Sequence, residues 1–301
     1  MDSKHKPAKK AALPPHAEIY HLLLNCPNRP GIIARVAGHI FECGFNIADT
    51  RQFDEEDTDL FFMRVEFNPV KPDADIEAWK ASFAVLAEEF DMTWKVRAQS
   101  HHTRVLILVS KNDHCLSDLL YRWRIGEMPI DIVSIVSNYP RETFPHLDFT
   151  GIPFHYLPVT RETKMEQEAD IWHLVQETEA ELVVLARYMQ ILSDGLAAKL
   201  SGRCINIHHS FLPGFKGAKP YHQAHARGVK VIGASAHYVT AELDEGPIIE
   251  QDVERISHHH RPDDLVSKGR YIERRVLANA VRLHVENRVV INGRKTIVFT
   301  E

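Results

Sequence analysis

The chain has 301 residues, of which 44% are hydrophobic and 26% charged, with a formal net charge of −5. That length accommodates two domains and a sizeable core, and an acidic balance gives no electrostatic footing for nucleic acid. The four cysteines, Cys26, Cys43, Cys115 and Cys204, form no Cys-x-x-Cys pair, which excludes the usual zinc cage and disulfide frameworks.

In chain order, residues 1–16 carry lysines with no apolar stretch behind them, so they read as a disordered tail rather than a secretory signal. No apolar run approaches the roughly 18 residues that cross a membrane, and scattered, unpaired thiols fit a cytoplasmic setting. From 17 to 99 the pattern is strand, helix, strand, strand, helix, strand. "EIYHLLLN" is a β-rich run. In "NRPGIIARVAGHIFECG", Pro30 suits a first helical turn, and Ile33, Val36, Ala37, Ile40 and Phe41 recur at helical spacing. Gly44 stands where a helix end favours positive φ. "FNIADTRQF" and "DLFFMRVEF" flank an acidic turn. A second helix and "MTWKVRAQ" complete a ferredoxin-like βαββαβ order.

Residues 100–103 form a short polar joint, and from 104 to 301 strands alternate with helices. "RVLILVS" is almost wholly apolar, as for a strand covered on both faces. "IDIVSIVSN", "ELVVLAR" and "RCINIHHS" follow with helices between them. "VKVIGASAHYV", "PIIEQDVER" and a helix from Pro262 to about Asn287 come next. Such alternation predicts an α/β fold with a mostly parallel, Rossmann-like sheet. Asn292-Gly293 between apolar runs predicts a terminal hairpin.

"RCINIHHSFLPGFKG" carries the candidate chemistry. Residues i and i+2 of a strand share a face, so Asn206 and His208 project together near the carboxyl end of their strand, where open parallel sheets bind ligands. An amide and an imidazole side by side can donate to an oxyanion as a carbonyl becomes tetrahedral, and the imidazole can move a proton. His209 is expected to point the other way and pack. The partner should be a carboxylate, and "HYVTAELDEGPIIEQ" offers Glu242, Asp244 and Glu245, among which spacing does not choose.

Two resemblances sharpen this reading. "CPNRPGIIARVAGHIFECGFNIADTRQ" resembles an ACT domain, which implies an amino-acid effector at the first turn, here Asn25, Asn28, Pro30 and Gly31, and pairing into a homo-oligomer, dimer or tetramer. "INIHHSFLPGFKG" with "HYVTAELDEGPII" resembles the folate-dependent formyltransferase fold, which implies Asn206, His208 and Asp244 as catalytic residues. "LARYMQILS" is similar to the segment lining that family's pterin pocket, which implies substrate contacts at Met189, Gln190, Ile191 and Leu192, with Val239, Thr240 and Glu242 on the loop beyond. Gln190 stands where that family commonly has Arg. "SKNDHCLSDLL", Ser110 to Leu120, takes the place of the family's Gly-rich phosphate loop and has no glycine, and His114 within it is a further pocket candidate, as Lys216 is over the substrate.

The order of the two domains resembles the formyltetrahydrofolate deformylase family. This implies hydrolysis of 10-formyltetrahydrofolate to formate and tetrahydrofolate, serving one-carbon pools and purine synthesis. It further implies a folate substrate and neither cofactor nor metal. The alternatives are a formyltransferase with an amine acceptor and a non-catalytic amino-acid sensor. The other histidines, His258 to His260 and the pair His222 and His225, lack the spacing or partners of a metal site.

Overall fold

The structure is a computed structural model, described over residues 18–214 and 220–300. The predicted tail and Lys216 lie outside the described residues. The chain divides between Ser100 and His101 into two compact units.

In the first unit the order is β1 (Tyr20–Pro27), α1 (Ile32–Glu42), β2 (Phe45–Glu55), β3 (Leu60–Pro69), α2 (Ile76–Glu89) and β4 (Thr93–Ala98). The strands form one antiparallel sheet in the order β2-β3-β1-β4. This is the ferredoxin-like arrangement, compatible with an ACT-like domain. Alternate residues of β1 and β3, such as Leu22, Leu24, Met63 and Phe67, pack against Val36, Ile40, Trp79 and Phe83 of the two helices. Each such buried side chain contributes about 1.5–3 kcal/mol relative to exposure.

Two expectations for α1 need correction. Gly31, at φ 96°, is the N-cap, so Pro30 precedes the helix instead of occupying its first turn. The buried stripe is Ile32, Val36 and Ile40, whereas Ile33 and Phe41 are 43% and 76% exposed. A helix with apolar residues on adjoining faces does not say which one the sheet will cover.

The second unit runs β5 (Thr103–Val109), α3 (His114–Arg124), β6 (Ile130–Ser137), a 3-10 turn (Arg141–Thr143), β7 (Phe154–Tyr156), α4 (Lys164–Glu177), β8 (Leu182–Leu185), α5 (Asp194–Lys199), β9 (Cys204–His208), α6 (Pro220–Arg227), β10 (Val231–Tyr238), β11 (Ile248–Arg255) and α7 (Pro262–Val285), and ends in the hairpin β12 (Val289–Asn292) and β13 (Lys295–Val298). Seven strands form one sheet, β11-β10-β9-β8-β5-β6-β7. The pairs from β9 to β7 are parallel, and β10 and β11 add antiparallel partners at one side. Val105, Ile107 and Val109 face one helical layer with α3 and α7. Leu106 and Leu108 face the other, with α4 and α5. Both faces are thus covered, as the apolar run predicts. The three-residue β7 has no counterpart in the sequence reading, because its pairing with β6, and not a run of its own, defines it.

The stretch from Ser110 to Leu120 that takes the place of a phosphate loop is mostly the helix that "DHCLSDLLYRWRIG" predicts. Only residues 110–113 connect β5 to α3, and His114 opens the helix. From β5 the chain moves out to β6 and β7, then returns to β8 on the other side. The carboxyl ends of β5 and β8 therefore flank a topological switch point, where doubly wound sheets bind ligands.

Candidate active site

Asn206 and His208 lie on β9 as the two-residue period requires, while Ile205 and Ile207 enter the core. His208 Nδ1 is 3.2 Å from Asp244 Oδ1. Asp244 comes from the loop after β10. Its φ of 58° is in the left-handed region, which Asp tolerates better than most residues. The loop settles against β10 because position 246 is glycine: a Cβ there would lie 1.8 Å from the Tyr238 carbonyl oxygen. Of the three acids in this loop, Asp244 alone turns inward to the histidines. Glu242 and Glu245 face Arg294, 3.6 and 3.4 Å away.

Burial by itself would raise the Asp244 carboxyl. Hydrogen bonds from His208 and His237, and the charge those rings carry when protonated, overcome it and hold the group well below the usual carboxylate range. Asp244 is thus a carboxylate at neutral pH. With His208 Nδ1 turned to it, the other ring nitrogen, Nε2, is buried without a hydrogen-bond partner among the described residues.

A cavity of about 570 Å³ brings together Asn206, His208, Asp244 and all the predicted substrate residues: His114, Met189, Gln190, Ile191, Leu192, Val239, Thr240 and Glu242. Met189 and Ile191 are more than half exposed at 53% and 59%, apolar surface available to a flat aromatic ligand. The segment is pinned to the end of β5: Met189 N–H donates to Ser110 Oγ (3.0 Å), and Ser110 N–H to the Arg187 carbonyl (3.3 Å). In the first unit, Asn25 ends up half-buried on β1, and Asn28, Pro30 and Gly31 are exposed on the turn into α1.

His209 departs from expectation. It lines the same cavity as His208, with ring centroids 5.3 Å apart. The strand ends at His208, so the alternation of faces stops one residue before it matters. Burial, followed by the charge of Arg187, lowers the His209 ring to about 4, leaving it neutral at physiological pH.

Sequence reasoning missed two features. His237, on β10, stands opposite Asn206 in the antiparallel register. Its Nδ1–H donates to the Tyr238 carbonyl (2.9 Å). Its Nε2 faces Asn206 Nδ2 at 3.3 Å and Asp244 Oδ1 at 3.7 Å. The neutral ring accepts from the amide, and the charged ring donates to the carboxylate. The period-two rule applied to β10 would have flagged it. The second feature is a buried ionic group on the cavity wall. Glu273 of α7 accepts from Tyr221 Oη (2.7 Å) and His114 Nε2 (2.8 Å), and Arg187 Nε lies 3.2 Å away. Its four members come from four segments, and no spacing rule connects them.

Among the described residues, one trio could converge on a cation: His114, Cys115 and Glu273. Two features oppose it. Burial pushes the Cys115 thiol well above its ordinary range, and the Arg187 cation already sits beside Glu273.

A doubly wound domain whose cavity opens at the switch point, with Asn, His and Asp side chains on its wall, has the architecture of the formyl-group enzymes. Residues 103–281 match the family described as "Formyl transferase". The formyltetrahydrofolate deformylase of Corynebacterium sp. (strain P-1) is 48% identical over 284 residues, covering 94% of this chain and 99% of that relative. The crystal structure of formyltetrahydrofolate deformylase from Burkholderia mallei ATCC 23344 superimposes with a TM-score of 0.89 at 48% identity, over 94% of this chain and all (100%) of that one. The one from Pseudomonas syringae pv. tomato str. DC3000 gives 0.91 at 41% identity, over 95% of this chain and 96% of that one. The chain belongs to the formyltetrahydrofolate deformylase family.

Proposed function

We propose that the chain hydrolyses 10-formyltetrahydrofolate to formate and tetrahydrofolate, acting as a formyltetrahydrofolate deformylase. The observation that carries the reading is the convergence of Asn206, His208 and Asp244 on one cavity wall in a chain of this family. Water attacks the N10-formyl carbon. Asn206 Nδ2 and the protonated Nε2 of His208 donate to the oxyanion, a kind of contact worth about 10²–10³ in rate for each donor removed. Asp244 accepts from His208 and orients the water. As the C–N10 bond breaks, the proton given up by the attacking water is carried to N10 with the help of Asp244, and formate departs with the oxygen that water supplied. The formyl group is already activated on an aniline-type nitrogen, so these steps call on no metal or other cofactor.

We also infer an amino-acid effector at Asn25, Asn28, Pro30 and Gly31, a homo-oligomer built through the first unit, and a cytoplasmic enzyme that supplies formate for purine synthesis. Gly31 opens a helix whose free N–H groups suit a carboxylate. The four cysteines are unpaired, and no helix among the described residues is long and apolar enough to cross a membrane.

The deciding experiment incubates the protein with 10-formyltetrahydrofolate and no amine acceptor, and measures formate and tetrahydrofolate. Both should appear in equal amounts; formate release only on adding an amine would point to transfer and overturn the reading. Repeating the assay with glycine and with methionine tests the effector, and an unchanged rate across the common amino acids would remove it.

A further inference from the structure

The ionic group on the cavity wall is not used by the steps above, and its arrangement is unusual. Arg187 follows β8 with φ 64°, a backbone region that costs energy for a residue without a short polar side chain and that persists where the surroundings impose it. Its side chain is only 9% exposed. Glu273, itself 2% exposed, takes the Nε side of the guanidinium at 3.2 Å, and is held in turn by Tyr221 and His114. That fixes the plane of the fork without using all of it. Nε, for all its closeness to Glu273, and Nη1 are both buried without a hydrogen-bond partner among the described residues.

An unpartnered, buried guanidinium N–H is costly unless something supplies an acceptor. Arg187 lines the same cavity as His208, whose Nε2 is likewise a partnerless buried nitrogen on that wall. The guanidinium is thus a buried cation on the cavity that also holds the reacting histidine, and its planar donors match a carboxylate.

We propose that Arg187 is a carboxylate subsite for the one-carbon product: its guanidinium receives formate once the C–N10 bond has broken, while Glu273, His114 and Tyr221 hold the fork in place. The proposal rests on the hydrolytic reading, since it assigns a place to that reaction's product. Formate is the smallest carboxylate, and a donor enclosed in the wall suits it better than a longer acid. The glutamate carboxylates of the folate itself share the chemistry and are separated from it by the test.

The experiment uses the full chain and [13C]formate, without folate, followed by NMR line broadening. Acetate and chloride serve as size and ionic-strength controls. Wild type should bind formate saturably, more tightly than acetate. Arg187→Gln should weaken binding by about tenfold or more, the scale of one lost charge-assisted hydrogen bond, and Arg187→Lys by less. Glu273→Gln should tighten it, because the carboxylate that competes for the fork is neutralised while the shape is kept. A purely structural role for the cluster would not move the two substitutions in opposite directions. In turnover, added formate should inhibit wild type more strongly than Arg187→Gln, with 10-formyltetrahydropteroate, which lacks the glutamate, as well as with the folate.

Absence of saturable formate binding to wild type overturns the subsite. So does unchanged affinity in whichever of Arg187→Gln, Arg187→Lys and Glu273→Gln folds. So does an Arg187 effect confined to KM for the glutamate-bearing substrate. A protein that binds formate through Arg187 but releases none from the folate leaves the subsite standing and overturns the hydrolytic reading instead.

Discussion

His208 Nδ1 and Asp244 Oδ1 stand 3.2 Å apart, in side chains only 7% and 10% exposed. The contact commits one ring nitrogen to the carboxylate and leaves Nε2 as the nitrogen free to meet a substrate. Every chemical role assigned to His208 depends on that division.

Asp244→Asn keeps the size and removes the charge. Folate binding should survive, and kcat should fall at least ~10²-fold, because oxyanion stabilisation and proton transfer both lose their anchor. Equilibrium binding of an unreactive folate, alongside kcat, separates the two effects. Turnover near wild type would take Asp244 out of the mechanism.

Gly246→Ala places a methyl group where the Tyr238 carbonyl oxygen already is. The loop must lift from β10, and Asp244 moves with it. A loss of about tenfold or more in kcat is expected from a shift of ångström size at a catalytic group, together with a lower Tm. Activity equal to wild type would mean that the loop's seat on β10 does not set the position of Asp244.

Acid should unfold the second unit early, and His209 should be one reason. Its folded value is depressed from 6.5 to about 4, so the unfolded chain binds more protons between those values. The neutral ring's contribution is fully present above about pH 6.5 and is lost as pH falls through 4. The size is about 2 kcal/mol after allowing for a ring that is only partly buried. Denaturant midpoints from pH 7 to 4 should show it, and His209→Gln should flatten the slope. Asp244 acts in the same direction lower down, since its depressed value supplies stability above the ordinary carboxylate range that acid removes.

Arg294 makes a useful contrast. Its contacts to Glu242 and Glu245 are 3.6 and 3.4 Å, but its own side chain is 75% exposed. Such surface pairs contribute about 0–1 kcal/mol. Arg294→Ala should change kcat less than about twofold and Tm by no more than a few degrees. A large loss would mean that the hairpin holds the Asp244 loop in place.

His237→Gln tests the residue beside Asn206. The substitution retains a polar end but loses the ring's fixed Nδ1–H contact to the Tyr238 carbonyl. As a positioning change it should lower kcat about tenfold with KM nearly unchanged, and alter the pH profile of kcat. A change in KM alone would place His237 in substrate binding instead.

The sequence by itself determined the element order apart from β7, the two-unit division of pattern and the shared face of Asn206 and His208. These follow from local rules: periods of 3.6 and 2, and the polarity of a covered strand. Local rules stop where a chain leaves an element. His209 lies one residue past the end of β9, and the pleat no longer says where it points. Asp244, Glu242 and Glu245 are equivalent as letters, and only the left-handed backbone at 244 and the neighbouring Arg294 sort them. On α1 the apolar residues span two faces, and the sheet decided in favour of Ile32, Val36 and Ile40. His114, Arg187, Tyr221 and Glu273 were the least legible of all. They meet because β5, β8 and α7 pack around one switch point, and the free energy of a buried ion pair depends on a geometry that exists only after the helices close over the sheet.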